Sequence, residues 1–565
     1  MKLFPDEVRP LVVGGALGSC VHVAGVYSFL RIAEEAGMAP RFLGPAVSVN
    51  DFLGAIRQHD PAMVAVGYRL TPASARKVLT EFAEKVRQFG LTERADGTPR
   101  RFLFGGTPPV CEEAAAVGLF EATFDGRQGP EEVLRYLRGG PDPKLRTQPW
   151  PDTLLERVAD KAPYPLLRHH FGLPDLVATH DGIAAIAQAE VLDVISLGVD
   201  QNAQEFFFRP EAMDPLQDGA GGAPVRTRQD LITLYEASRQ GNFPLMRCYS
   251  GTNHLLQWAP LLQSTMNNAW LATPLFWYSQ LDGRSRRPLA DSIPEAQAAF
   301  AWHGERDIPV ECNDPHHWSL RDAPDVVAVA DAYLIAYNAR AMGVSTYVAQ
   351  FMFNTPAATS FRMDLAKMLA MRELLEELRT PGFTILRETR AGLASFPVDP
   401  GQARGQLASS TLLQMALQPH IIHVVGYTEG DHAAGAAEVI ESSRIVQGVV
   451  RNGMWGGLPD MSRDPAVAAR KDELVRDARV LLRAIASLAS PGVAEPLAHA
   501  PTLVEAVRLG LLDAPHLSGS AEGRGDVVTR MVDGACVAVD PANLRPLSES
   551  ERTGRILGGR MVRAG

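Results

Sequence analysis

The sequence predicts an α/β chain: a doubly wound, flavodoxin-like (Rossmann-type) parallel sheet, then a closed (β/α)8 barrel of the TIM type and a small mixed α/β tail. Three observations predict it. Strand-like and helix-like segments alternate five times between Leu11 and Gly140 with short links, which gives a parallel sheet covered on both faces. A proline-rich stretch then breaks the pattern. Alternation resumes from Asp175 and persists to about Ser490, the span of a closed barrel.

In chain order, the first part (residues 1–140) has apolar runs ending near Leu17, Leu43, Val66, Phe104 and Phe124. Helical periodicity follows at Val26–Ala36, Asn50–Gln58, Pro72–Phe89, Cys111–Gly118 and Pro130–Arg138. Residues 141–184, punctuated by Pro141, Pro143, Pro149, Pro151, Pro163, Pro165 and Pro174, are expected to form an extended linker. Barrel strands are expected within 185–495 at Val191–Leu197, Phe243–Cys248, Asn268–Pro274, Ile308–Glu311, Val344–Phe353 and Ile421–Val425. Helices are expected at Leu231–Arg239, Ala323–Ala341, Met363–Leu378 and Ala434–Arg451. The tail, 496–565, carries a turn signal at Gly525-Asp526 before Val527-Val528.

Composition narrows the function classes. A net charge of −10 argues against nonspecific binding to nucleic acid or an anionic membrane. The five cysteines lack CxxC spacing, so neither a zinc framework nor a disulfide scaffold is expected, and a reducing cytoplasm fits. No apolar run reaches the ~18 residues of a membrane span, and Met1–Pro10 lacks a basic-then-apolar leader pattern. Composition leads to the expectation of a soluble, cytoplasmic chain; that it is an enzyme, a candidate homodimer, acting on a small molecule such as an amino or carboxylic acid is what the resemblances below imply.

The first chemical signal is Gly18-Ser19-Cys20-Val21-His22-Val23-Ala24-Gly25, between the first strand and the first helix. In doubly wound sheets ligands sit beyond the carboxyl ends of the strands, so His22 lies where a ligand would be. Two further strand ends share that rim: Gly67-Tyr68-Arg69-Leu70-Thr71 and Gly105-Gly106-Thr107. Together these segments resemble the B12-binding domain family, with its Asp-x-His-x-x-Gly loop, a small or hydroxyl residue, then Gly-Gly. The resemblance implies a cobalamin whose cobalt (the one metal expected) is ligated by His22. Ser19, Cys20, Gly25, Gly67, Tyr68, Leu70, Thr71, Gly105, Gly106 and Thr107 would line the corrin and its nucleotide tail. The family's Asp, which orients the imidazole, is Cys20 here.

A second resemblance covers about Asp193 to Leu557. Asp307-Ile308-Pro309-Val310-Glu311-Cys312-Asn313-Asp314-Pro315, Ile421-Ile422-His423-Val424-Val425-Gly426-Tyr427-Thr428-Glu429 and Glu505–Asp513 resemble, in order, the large chain of glutamate mutase (methylaspartate mutase). It implies an adenosylcobalamin-dependent radical carbon-skeleton mutase, an isomerase, with the two domains fused in one chain. Arg247, Tyr249, His254, Asn313 and His316 would orient substrate, and Glu429 or Asp431 the adenosyl ribose. The substrate should differ from glutamate: the family's Arg-His-Gly-Thr segment reads Tyr249-Ser250-Gly251-Thr252, and an early arginine falls at Gln204, so the grip on two carboxylates is reduced. Gln204, Glu205, Asn253, Tyr278, Asp314 and His317 are further lining candidates. The alternatives are a corrinoid-dependent methyltransferase, against which no helical cap module precedes the first domain, and a non-enzymatic B12-binding sensor.

Overall fold

The computed structural model describes residues 9–139, 149–249 and 251–558. The chain divides into two compact units, Met1–Pro149 and Trp150–Gly565.

In the first unit, β1 (Leu11–Leu17), β2 (Ala39–Val47), β3 (Met63–Tyr68), β4 (Arg101–Gly106) and β5 (Ala122–Phe124) form one parallel sheet in the order β2-β1-β3-β4-β5. This is one of the two common doubly wound orders, and its switch point lies between β1 and β3. Helices α1 (Ala24–Glu35) and α5 (Pro130–Leu137) pack together, while α2 (Val49–His59), α3 (Pro72–Gln88) and α4 (Pro108–Val117) pack in series. The α3 N-terminus is set by Thr71, whose hydroxyl accepts from Ser74 N–H, with Pro72 in the first turn. The observed ends of all five strands and helices fall within a few residues of the sequence expectation.

The second unit is built on a nearly closed eight-stranded parallel barrel: β6 (Leu166–Phe171), β7 (Val194–Leu197), β8 (Leu245–Cys248), β9 (Leu271–Ala272), β10 (Val310–Cys312), β11 (Thr346–Phe353), β12 (Thr384–Ala391) and β13 (Ile421–His423). The first and last strands pair, His423 opposite Arg168. Between β8 and β9 no ladder forms; Ala269 N–H donates to Met246 O (2.9 Å) and Asn268 Oδ1 accepts from Cys248 N–H (2.8 Å) across that seam.

Three expectations need correction. The linker ends early: α6 (Leu154–Lys161), β6 and most of α7 (Leu176–Gln188) lie within residues read as an extended strap. Prolines there flank elements rather than prevent them, since a proline ahead of a strand costs the ladder no hydrogen bond. Residues 140–148, including Pro141 and Pro143, lie outside the described residues. Strand β12 was absent from the expected set because its inward side chains are charged. Finally, the tail is no separate segment: Leu503, Val504, Val507, Leu511 and Leu512 are buried in the same core cluster as the barrel helix Asp325–Ala341. The Gly525-Asp526 turn is held by the Asp513 carboxylate, which accepts from the N–H groups of Gly525, Asp526 and Val527 at 2.7–3.0 Å. A two-stranded hairpin, β14 (Thr529–Val532) and β15 (Ala535–Ala538), follows. Among the described residues no helix is long and apolar enough to cross a membrane.

Candidate functional site

Alternation along the barrel strands turns every second side chain inward. Leu166, Val194, Leu245, Val348, Leu386 and Ile421 form an apolar bottom layer, and above it lies an ionic network that floors the mouth. Arg168 donates to Ser196 Oγ (2.7 Å) and Glu388 Oε1 (2.7 Å), and Arg247 Nη2 donates to Glu311 Oε2 (2.8 Å). Trp270 Nε1 donates to the same Glu311 oxygen (2.6 Å), and Gln350 Nε2 bridges Glu311 (3.1 Å) and Glu388 (2.8 Å). Arg168, Arg247, Glu311 and Glu388 are all fully buried. Two guanidinium groups face two carboxylates, so the floor carries no net charge. The pair splits: burial pushes the Glu388 carboxyl up, whereas Arg247 and Arg168 hold Glu311 below its ordinary range despite burial.

One layer higher, at the carboxyl ends of the strands, stand His170 on β6, Tyr249 after β8, Asn313 after β10, Arg390 on β12 and His423 on β13. His170 stacks on Tyr249 (5.4 Å between centroids) and meets His423 edge-on (4.8 Å). Asn313 Nδ2 donates a short hydrogen bond to the Tyr249 hydroxyl. His316 and His317 come from the short helix Asp314–Ser319 that follows β10, with ring centroids 4.4 Å apart. Tyr278 lies against both Tyr249 (6.0 Å) and His317 (5.6 Å). Burial first, then nearby arginines and histidines, presses His170, His316, His317 and His423 well below the ordinary histidine range, so all four are neutral imidazoles. Burial likewise holds the proton on Tyr278. Buried Asn313 Oδ1, His316 Nδ1, His423 Nδ1 and both His317 nitrogens have no protein hydrogen-bond partner. Unsatisfied buried polar atoms are rare in folded proteins and mark a place for a ligand or ordered water.

The loop 273–278 over this mouth is fixed by Asp314, whose carboxylate accepts from Leu275 N–H (2.8 Å), Phe276 N–H (2.7 Å) and the Cys312 thiol (2.8 Å). Burial raises Asp314 to about 6.

The structure therefore brings Tyr249, Asn313 and His316 together, with Tyr278 and His317. It does not bring in the others. Arg247 lies one layer below, engaged by Glu311, with its guanidinium 5.2 Å from the Tyr249 ring centroid. His254 heads the helix Leu255–Met266 in left-handed backbone (φ 59°), its ring edge-on to Phe208. Glu429 is part-buried in the turn after β13, where desolvation raises its carboxyl, and Asp431 is exposed, bonded to His432 (2.8 Å). His170, Arg390 and His423 were missed. A period-two reading of Arg168-His169-His170 and of Glu388-Thr389-Arg390 as inward-facing polar strands would have found them.

In the first unit, Cys20 is buried and His22 exposed. Cys20 Sγ accepts from Arg69 N–H (3.3 Å) and lies 3.9 Å from His22 Nδ1. Among the described residues no protein group bonds to Nε2. The loop is anchored by Ala46 N–H to Cys20 O (2.9 Å) and Cys20 N–H to Leu17 O (3.2 Å). Arg69 follows β3 and His22 follows β1, so the cluster sits at the switch point. With the buried sulfur behind Nδ1, Nε2 is left free to ligate a metal. The glycines divide. A Cβ on Gly67 would meet Val26 Cγ2 at 2.3 Å and one on Gly106 would meet Tyr68 O at 2.7 Å, so helix seating and strand pairing require both. Gly25 has nothing within 4 Å and Gly105 only Phe124 O at 3.9 Å, leaving space above the rim. Tyr68 is buried and donates to Ser74 Oγ (2.8 Å), Thr71 caps α3, and Thr107 is the N-cap residue of α4; Ser19 and Leu70 are exposed. Among the described residues, no group of three or more His, Cys, Asp or Glu side chains could hold a metal ion.

No family model and no curated protein matches the chain. Among solved structures it is similar to a cobalamin-binding protein from Desulfitobacterium hafniense DCB-2, at 22% identity over 20% of this chain and 52% of that one, TM-score 0.17. It is also similar to the cobalamin-dependent S-adenosylmethionine radical enzyme OxsB in two states. The apo form gives 8% identity over 67% of this chain and 49% of that one, TM-score 0.18. The form with aqua-cobalamin and S-adenosylmethionine bound gives 10% identity over 86% and 70%, TM-score 0.19. The chain spans about half the length of the first two. At scores this low the fold rests on the chain's own strand order and register.

Proposed function

We propose that this chain is a cobalamin-dependent enzyme, in which His22 would ligate the cobalt and the barrel mouth would be the site of chemistry. Its reaction class is the radical carbon-skeleton rearrangement implied by the resemblance to glutamate mutase. The observation that carries this reading is the Cys20–His22 pair at the switch point of a flavodoxin-like sheet. An exposed ring backed on one nitrogen by a buried, anchored sulfur can offer the other nitrogen to a metal delivered from solution. Adenosylcobalamin, when bound, supplies the organic radical that such rearrangements need.

The chain's own residues do the rest. Cys20 fixes the His22 ring. Tyr249, positioned by Asn313 and stacked on His170, forms one wall of the barrel mouth. The neutral imidazoles of His316, His317 and His423 can donate or accept hydrogen bonds without adding charge. Tyr278 keeps its phenolic proton. The apolar and aromatic surroundings exclude water, which protects a reactive intermediate.

The test is a titration of the full chain with adenosylcobalamin, followed by visible absorption. A shift from the free base-on spectrum to a histidine-ligated one is expected, with affinity reduced at least about tenfold in His22→Ala. An unchanged spectrum in both proteins would overturn the reading. Substrate-induced cob(II)alamin coupled to an organic radical would separate the mutase from a methyltransferase, which would instead demethylate methylcobalamin.

A further inference from the structure

We infer that the barrel mouth takes a substrate with one anionic group, a monocarboxylate docked on Arg390, the rest of which is read by uncharged hydrogen-bonding side chains. This deepens the proposed function by naming a substrate class, and rests on it for placing the chemistry at the mouth.

The argument is one of charge balance. Period-two alternation puts Arg390 on the same inward face of β12 as Glu388, one layer nearer the strand ends. The deeper arginines, Arg168 and Arg247, are ion-paired to Glu388 and Glu311, although Arg168 Nε and Arg247 Nε and Nη1 keep no hydrogen-bond partner. Arg284 and Arg321 share the carboxylate of Asp282 (3.5 and 3.6 Å) and stack on Tyr278 and Trp277. Asp314 is consumed by two backbone N–H groups and a thiol. Arg390 alone in the mouth has no carboxylate within ion-pair distance among the described residues. Its Nε donates to Ala391 O at a long 3.3 Å, which leaves the fork open. A guanidinium in a desolvated site matches a carboxylate through two parallel hydrogen bonds. A second carboxylate would lie above the Glu311–Glu388 pair, and the other guanidinium groups near it, Arg247, Arg284 and Arg321, already face Glu311 or Asp282. The orphaned Asn313 Oδ1, His316 Nδ1 and His423 Nδ1 instead call for a neutral polar group.

The experiment is calorimetric titration of the full chain, free of cobalamin, with butyrate, glutarate, butyramide and inorganic phosphate at pH 7.5. Butyrate is expected to bind, glutarate and phosphate no more tightly, and butyramide at least tenfold more weakly. Arg390→Met should weaken butyrate at least about tenfold, the scale of a lost charge-assisted hydrogen bond, with thermal stability no lower than wild type. Arg390→Lys, which keeps the charge but not the fork, should fall between. Glutarate or phosphate binding tenfold more tightly than butyrate, no heat from butyrate, or unchanged butyrate affinity in Arg390→Met would each overturn the inference. Because no cobalamin is present, failure of the His22 titration leaves this result standing, and the reverse holds.

Discussion

The two sheets of this protein both place imidazoles at strand ends, but in opposite surroundings. His22 stands on an exposed loop with one nitrogen backed by sulfur and the other open. In the barrel, His316, His317 and His423 are buried, neutral and partly unsatisfied. The same residue type at the same topological place is thus suited to two tasks. One ring can join a metal that arrives from solution; the others can read a substrate in a site where charge is scarce. Burial, more than position, decides which.

The largest expected effect breaks the barrel side of this comparison. Glu311→Leu strands Arg247 and Trp270 Nε1 in a site closed to water and should cost about 3–5 kcal/mol, read as a lower urea midpoint. Adding Arg247→Met to it should recover most of the loss, because removing both partners removes the unpaired charge. If the double variant is no better than the single, the floor is not an isolated ionic network.

The next effect is in pH. His169, His303 and His420 are lowered to about 4, in each case by burial first. Below about 6.5 the unfolded chain takes up protons that these folded-state rings refuse, so stability they contribute above that pH is lost as pH falls toward 4. Asp314, Asp364 and Asp477, raised to about 6, act with the opposite sign, favouring the folded state at low pH and losing that contribution as pH rises from 3.8 to 6. His303→Gln should therefore narrow the fall in unfolding free energy between pH 7 and 4.5, by roughly 1.4 kcal/mol for each pH unit of separation removed. A parallel pH profile in wild type and variant would contradict the neutral burial of this ring.

Smaller effects sharpen the other side. Gly67→Ala forces a methyl to 2.3 Å from Val26 Cγ2 and should cost about 1–3 kcal/mol as α1 shifts. Gly25→Ala, with open space, should change stability by less than about 0.5 kcal/mol. Cys20→Asp should strengthen cobalamin binding relative to Cys20→Ala, since a carboxylate behind Nδ1 raises ring basicity more than sulfur does. Equal affinities would mean that position 20 does not orient His22.

Legibility in the sequence followed the hydrophobic pattern. In the first sheet β1, β3 and β4 are apolar runs with glycine at or just after their ends (Gly18, Gly67, Gly105), and the ends of all five strands are readable from Leu17 to Phe124. Six of the eight barrel strands carried a similar signal. The two that did not, β6 and β12, point Arg168, His170, Glu388 and Arg390 inward, so the residues that make the candidate site are those that hid its strands. Tyr249, Asn313 and His316 were legible through the segments that resemble glutamate mutase, each of which follows a barrel strand. For Arg247 the sequence gives the strand but not the layer; the partner 64 positions away, Glu311, fixes it just below Tyr249.

The central proposal is that His22 would ligate the cobalt of a bound cobalamin. The direct measurement is the electron paramagnetic resonance spectrum of the full chain with cob(II)alamin, the protein labelled with 15N-histidine and the cofactor left at natural abundance. The account predicts a two-line nitrogen splitting in labelled protein and three lines in unlabelled protein, with histidine ligation lost in His22→Ala. Three lines in both preparations would show that the cofactor keeps its own base, and would contradict it.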